Sequence, residues 1–159
     1  MDDFQGTIAR GDQGPLDDFR LGIVVSEYNR DITDNLLQGA VEQLRERGID
    51  DRQIIVWWVP GGWEIPLAAA QLASRVDALI CLGCVIQGQT THDQHINNTV
   101  SRELGRLAVT SGKPVGFGLL TTLNRDQARA RAGGEKGNKG RETAEAVVAM
   151  LRLLARNQD

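Results

Sequence analysis

No uninterrupted apolar run in the 159 residues approaches the roughly 18–20 needed to cross a membrane. The opening residues, Met1-Asp2-Asp3-Phe4, are acidic and have no apolar stretch, which argues against a secretory leader and for a cytoplasmic protein. Charge of either sign is not in excess: 18 Lys and Arg stand against 21 Asp and Glu, a net charge of −3. Such a balance offers no basic field for nucleic acid. No internal repeat appears, and no linker rich in Pro, Gly or Ser divides the chain. What remains is one domain of ordinary size, long enough to bury roughly 68–70% of its unfolded surface in a core.

Cysteine is scarce: Cys81 and Cys84, spaced C-x-x-C. That spacing serves redox or zinc chemistry in other contexts. Here both lie in the apolar run 78–86, which reads as a buried strand. Positions i and i+3 of a strand face opposite ways, so the expectation is two separate core thiols.

Apolar strands alternate with amphipathic helices along the chain. The run 21–25 is nearly continuous in apolar residues, as in a parallel strand covered on both faces. Ile32, Leu36, Leu37, Ala40, Val41 and Leu44 then recur at helical spacing, with Asp31 or Thr33 as cap and Gly48 as terminator. Further strands are predicted over 53–59, 78–86 and 114–120. Helices are predicted over about 64–75, 91–110 and 125–132, and a last one carries Val147, Val148, Leu151 and Leu154. Residues 133–140 read as a glycine-rich turn. This order gives a three-layer α/β sandwich with right-handed crossovers, whose ligands sit beyond the carboxyl ends of the strands. The N-terminal segment stands apart: 1–18 reads as an arm, with a strand over Asp3 to Ala9 that either hangs loose or adds to a neighbour's sheet, and 19–159 as the single domain.

Four loops at that edge hold unusual residues. In 26–31, Tyr28 beside Asn29 suits stacking and hydrogen bonding to a sugar, or an ordinary helix entry. In Val59-Pro-Gly-Gly-Trp-Glu-Ile-Pro66, the glycines admit a close ligand, while Trp63 and Glu64 serve either a ligand or packing and the helix dipole. In 83–92, a strand runs through Gly88 and Gln89 into a helix start at Thr90 and Thr91. Free backbone N–H groups there suit a phosphate, or the threonines simply cap the helix. His92 follows in the first turn, where an imidazole can move protons near neutral pH or be a plain surface residue. His92 and His95 share a helix face, but no third metal ligand stands at a recognisable spacing, so no metal is expected. The stretch 125–140 lacks the Gly-Lys-Ser/Thr ending of a P-loop. Arg129 and Arg131 should point different ways, so at most one reaches a given phosphate.

Taken together, Tyr28-Asn29, the 59–66 motif, Gly83 to His92, and Arg131-Ala-Gly133 with Gly137-Asn-Lys-Gly140 resemble the lumazine synthase family. The likeness runs from Arg20 to about Leu154, with a weaker match at Phe4-Gln-Gly6. It implies a flavodoxin-like four-stranded parallel sheet and an arm strand pairing with a neighbouring subunit. It implies condensation of 5-amino-6-ribitylaminouracil with 3,4-dihydroxy-2-butanone 4-phosphate, the penultimate step to riboflavin, without metal or organic cofactor. Tyr28 or Trp63 would stack on the pyrimidine. Asn29, Glu64 and Lys139 would hold the ribityl chain or a ring carbonyl, with Gly62, Val85 and Ile86 adding backbone contacts. Arg131 and the Gly88-Gln89-Thr90-Thr91 start would bind phosphate, His92 would transfer protons, and Phe117 would come from the adjacent subunit.

The chain departs from the family pattern in places. Tyr28 and Trp63 replace a common Phe and keep a stacking face. Gln87 stands where Arg is common, and Gln94 where an acid often follows the histidine, with Asp93 beside it. The family forms pentamers, and the short link at 133–140 resembles members that pack twelve of them into an icosahedral shell. Two rival readings are an archaeal-type riboflavin synthase and a binding paralogue without catalysis. The Gly-Gly-Trp-Glu-Ile-Pro and Thr-Thr-His motifs favour the synthase.

Overall fold

A computed structural model describes residue 7 and residues 9–155. Four parallel strands form the sheet: β1 (Leu21–Ser26), β2 (Ile54–Val59), β3 (Ala78–Ile86) and β4 (Val115–Thr122), in the order β2-β1-β3-β4. Every residue of β1 is buried, as expected of a strand covered on both faces. Helices α1 (Arg30–Glu46) and α5 (Lys139–Ala155) pack on one face of the sheet, and α2 (Ile65–Leu72) and α3 (His92–Ser111) on the other. The expected three-layer sandwich is therefore observed.

The two faces carry two cores. Ile23, Leu36, Ile80, Cys84, Val147 and Leu151 belong to one. Val24, Leu72, Leu79, Cys81, Val100 and Leu104 belong to the other. Cys81 and Cys84 thus lie on opposite faces of β3, as their spacing dictates, and both are buried free thiols. The α1–α5 contact is close because Gly140 has no side chain: a Cβ there would run into the Leu36 carbonyl.

Element boundaries differ from the sequence reading for local reasons. The cap of α1 is Asn29 rather than Asp31 or Thr33, because Asn29 adopts the left-handed conformation (φ 59°) that turns the chain from β1 into the helix. Gln53 belongs to a 3₁₀ turn before β2, where its Nε2 holds the Leu16 and Phe19 carbonyls at 2.8 Å. The helix expected over 64–75 is α2 between two 3₁₀ turns, Gly62–Glu64 and Ala73–Arg75, because Gly61 and Gly62 delay regular winding until Pro66 fixes the first turn. The short helix α4 (Arg125–Ala130) is capped by Asn124, and the glycine-rich turn is a small hairpin, β5 (Ala132–Gly134) with β6 (Gly137–Asn138). Lys139 and Gly140 already belong to α5.

The strand expected over Asp3 to Ala9 falls largely outside the described residues. Residues 9–20 contain no strand, yet Leu16 is buried at 4% exposure and Phe19 packs beside it, which fastens the end of the arm to the core.

Candidate active site

The strand order reverses direction between β1 and β3, and a crevice opens beyond their carboxyl ends. A cavity of about 610 Å³ occupies it. Its walls come from three of the loops singled out by sequence: Tyr28 after β1, Pro60 to Glu64 after β2, and Cys84 to Ile96 around the start of α3. Nine predicted residues share this wall: Tyr28, Gly62, Trp63, Glu64, Val85, Ile86, Gly88, Thr90 and His92. Tyr28 is 73% exposed and Trp63 57%, so both aromatic faces are open to a ligand.

The remaining predicted residues divide into three groups. Asn29 buttresses the wall: its Nδ2 donates to the Cys84 carbonyl at 3.0 Å, and Arg125 donates to its Oδ1 at 3.3 Å. Gln89 and Thr91 are exposed on the loop before α3 and do not line the cavity. Phe117, 44% exposed on β4, and the cations Arg131 and Lys139 also lie off this wall. Arg131 and Lys139 instead line a second hollow of about 190 Å³ with Leu120, Lys136 and Glu142. Arg131 donates to the Gln127 carbonyl at 3.1 Å, and Lys139 pairs with Glu142 at 2.9 Å. Arg129 turns the other way, toward Asp31 at 3.7 Å, as its spacing from Arg131 predicts.

Local electrostatics follow from these contacts. The hydrogen bond from Arg125 holds the Asp31 carboxyl below its ordinary value. Burial pushes the Cys84 thiol up to about 11, so its contribution to the wall is an inert surface rather than a nucleophile. Glu64 Oε2 accepts the Gly61 N–H at 2.9 Å, which fixes the carboxylate at the rim. The His92 backbone N–H reaches Thr90 Oγ1 at 3.4 Å, so Thr90 braces the helix start while also facing the cavity. Among the described residues, no group of three His, Cys, Asp or Glu side chains is placed to hold a metal ion.

Sequence reading missed Lys136 and noted Asp93 only as the acid beside Gln94. Lys136 joins the cationic hollow; a lysine in a glycine-rich turn gives no signal of its own. Asp93 faces the main cavity and is 9% exposed, whereas Gln94, at the position where an acid was looked for, is exposed. The helical period carried that information, because residues one apart on a helix face different surroundings.

The family model described as 6,7-dimethyl-8-ribityllumazine synthase matches residues 18–155. A protein of that name from Rhodopirellula baltica is 48% identical over 146 residues, covering 90% of this chain and 94% of the relative. Another of that name, from Coxiella burnetii, is 46% identical over 138 residues, covering 86% and 91%.

Proposed function

The chain belongs to the 6,7-dimethyl-8-ribityllumazine synthase family, and from that premise we propose how its residues make the lumazine. The substrates are 5-amino-6-(D-ribitylamino)uracil and 3,4-dihydroxy-2-butanone 4-phosphate. The observation that carries the assignment of roles is the crevice itself, where two aromatic faces, a fixed carboxylate and an imidazole line one cavity beside a helix start.

The pyrimidine stacks on Tyr28 or Trp63, and the ribityl hydroxyls bond to Glu64 and Asn29. Gly62, Val85 and Ile86 supply backbone contacts to the ring. The amine attacks the ketone, and water leaves as the imine forms. Elimination expels phosphate, the second amine closes the ring, and a further water is lost. Each step moves a proton between neighbouring groups, so positioning and one acid/base residue, His92, suffice. No organic cofactor or metal enters the scheme.

The phosphate needs cations as well as the N–H groups near Gln89, Thr90 and Thr91. Among the described residues, no Lys or Arg lines the main cavity, while Arg131, Lys136 and Lys139 surround a separate hollow. This separation supports a site completed between copies: Arg131, Lys139 and the exposed Phe117 of one subunit meet the His92 wall of the next. A ring of head-to-tail contacts closes as a homopentamer. The short hairpin at 132–138 favours twelve pentamers in a hollow shell. The working compartment is the cytoplasm; no helix of the described residues is long and apolar enough to cross a membrane.

A direct assay tests the reading. Purified protein is mixed with both substrates, and lumazine absorbance and phosphate release are followed against a protein-free control. Product well above the control is the expected result. Binding of the ribityl-pyrimidine without product would replace the enzyme by a binding paralogue.

A further inference from the structure

Asp93 lies in the first turn of the 20-residue helix α3, directly after His92, and its side chain lines the same cavity. It is more than nine-tenths buried, and no donor among the described residues bonds its Oδ1. One turn further along α3, the Asn97 Oδ1 is likewise buried without a partner. A buried carboxylate oxygen without a donor carries its full desolvation cost, so this wall of the cavity calls for N–H or O–H groups from whatever fills it. Among the described residues of one chain, no Lys or Arg lines the cavity to meet that need.

We propose that Asp93 is a substrate-binding residue that accepts N–H hydrogen bonds from the exocyclic amines of the pyrimidine. The inference rests on the synthase reading. It places Asp93 and His92, neighbours in one helical turn, at the reacting edge of the ring. Those N–H groups exist only before condensation. Ring closure turns both nitrogens into ring members without hydrogen, so the product offers Asp93 no donor along that edge. The carboxylate therefore distinguishes substrate from product and favours release of the lumazine.

The test measures two dissociation constants on the assembled full-length protein. The ligands are 5-amino-6-(D-ribitylamino)uracil and 6,7-dimethyl-8-ribityllumazine, each read by quenching of tryptophan fluorescence. The proteins are the wild type, Asp93→Asn and Asp93→Ala, each checked by melting temperature and size. In Asp93→Ala, substrate affinity should fall at least about tenfold, the ordinary effect of losing a hydrogen bond to a charged group, while product affinity stays level or rises. Asp93→Asn keeps one carbonyl acceptor and should fall between.

Parallel weakening of both ligands would overturn the proposal, as would unchanged substrate affinity. Unchanged affinity with a lower melting temperature or altered size would assign Asp93 to the helix dipole or a subunit contact instead. Lumazine formation by the wild type tests the underlying reading separately. A wild type that binds both ligands without turnover refutes the enzyme and leaves the ratio of affinities to judge Asp93 alone.

Discussion

Asn29 and Cys84, 55 positions apart in sequence, are joined at the carboxyl edge of the sheet by a 3.0 Å hydrogen bond from the Asn29 amide to the Cys84 carbonyl. Asn29 is also the non-glycine residue that the described chain holds at positive φ, 59°. Its side-chain oxygen accepts from Arg125, which in turn pairs with Asp31. One amide thus ties the exit of β1 to β3 and α4, and it stands beside the cavity it helps to shape.

Replacing Asn29 separates these contributions. Asn29→Gly keeps the left-handed backbone and loses the cross-strand tie, for about 1 kcal/mol of stability. Asn29→Ala adds the strain of a β-carbon in that conformation, for about 2 kcal/mol in all. Both should raise KM for the ribityl-pyrimidine more than they lower kcat. Thermal unfolding and steady-state kinetics on the two variants check this. An unchanged KM in Asn29→Gly would remove Asn29 from the substrate contacts.

The thiols give a second expectation. Burial raises Cys81 to about 12 and Cys84 to about 11, from an ordinary 9.0. Native protein at about pH 8 should resist iodoacetamide, and both thiols should react after unfolding in guanidinium, because the thiolate is the nucleophile. The sign for stability follows. Above 9.0 the unfolded chain sheds these protons while the folded chain keeps them, so stability declines as pH rises through that range. Mass spectrometry of the alkylated protein and melting curves at alkaline pH are the measurements.

The cysteine pair shows what a sequence exposes well. Strand period alone placed Cys81 and Cys84 on opposite faces, and the same local rules placed four strands and the loops that bear Tyr28, Trp63, Glu64 and His92 on one edge. Asn29 was harder. Capping preferences pointed to Asp31 or Thr33, but the backbone needed a left-handed residue one step earlier, and a cross-sheet bond with no local signature holds it there. Asp93 was legible only as the acid beside Gln94, because the family pattern marks a position in the sequence and not a face of the helix. Arg131 and Lys139 were recognised as residues, yet their placement around a second hollow depends on the β5–β6 hairpin and the packing of α5 on α1, both long-range outcomes.

Glu145 provides a pH test of that packing. Arg47, at the end of α1, grips its two carboxylate oxygens at 2.7 Å each, and Gln43 adds a third bond at 2.5 Å. These contacts, Arg47 foremost, hold the carboxyl below its ordinary 4.5. A depressed carboxylate stabilises the fold above 4.5, and that contribution is lost as pH falls through the lower folded value. The pair is nearly half exposed, so solvent limits the effect of Glu145→Gln at neutral pH to about 0.2–1 kcal/mol. The difference from wild type should vanish in acid below the folded value, where both carry a neutral group, and should shrink in high salt. Chemical denaturation at the two pH values measures it; a difference that persists in acid would trace to packing, not charge.

The division of His92 and Arg131 between two hollows leads to the most direct test of a shared site. His92→Ala should slow turnover by roughly 10- to 10⁴-fold, because positioning survives the loss of the acid/base group. Arg131→Ala should chiefly raise KM for the sugar phosphate, by removing a charge-assisted contact. The two variants are then unfolded together in equal amounts, reassembled, and assayed at low sugar phosphate. In a head-to-tail ring, each site takes His92 from one chain and Arg131 from the next. Random mixing makes about one quarter of the sites intact in both halves, so activity should rise to about a quarter of wild type. If each chain instead built its site alone, no mixed assembly would contain an intact one, and activity would stay at the average of the two variants. That flat result would place the phosphate contact elsewhere than Arg131 of a neighbouring chain. A rise toward one quarter would require the cationic hollow of one subunit to face the His92 wall of another, because no other pairing of these two damaged chains restores both halves.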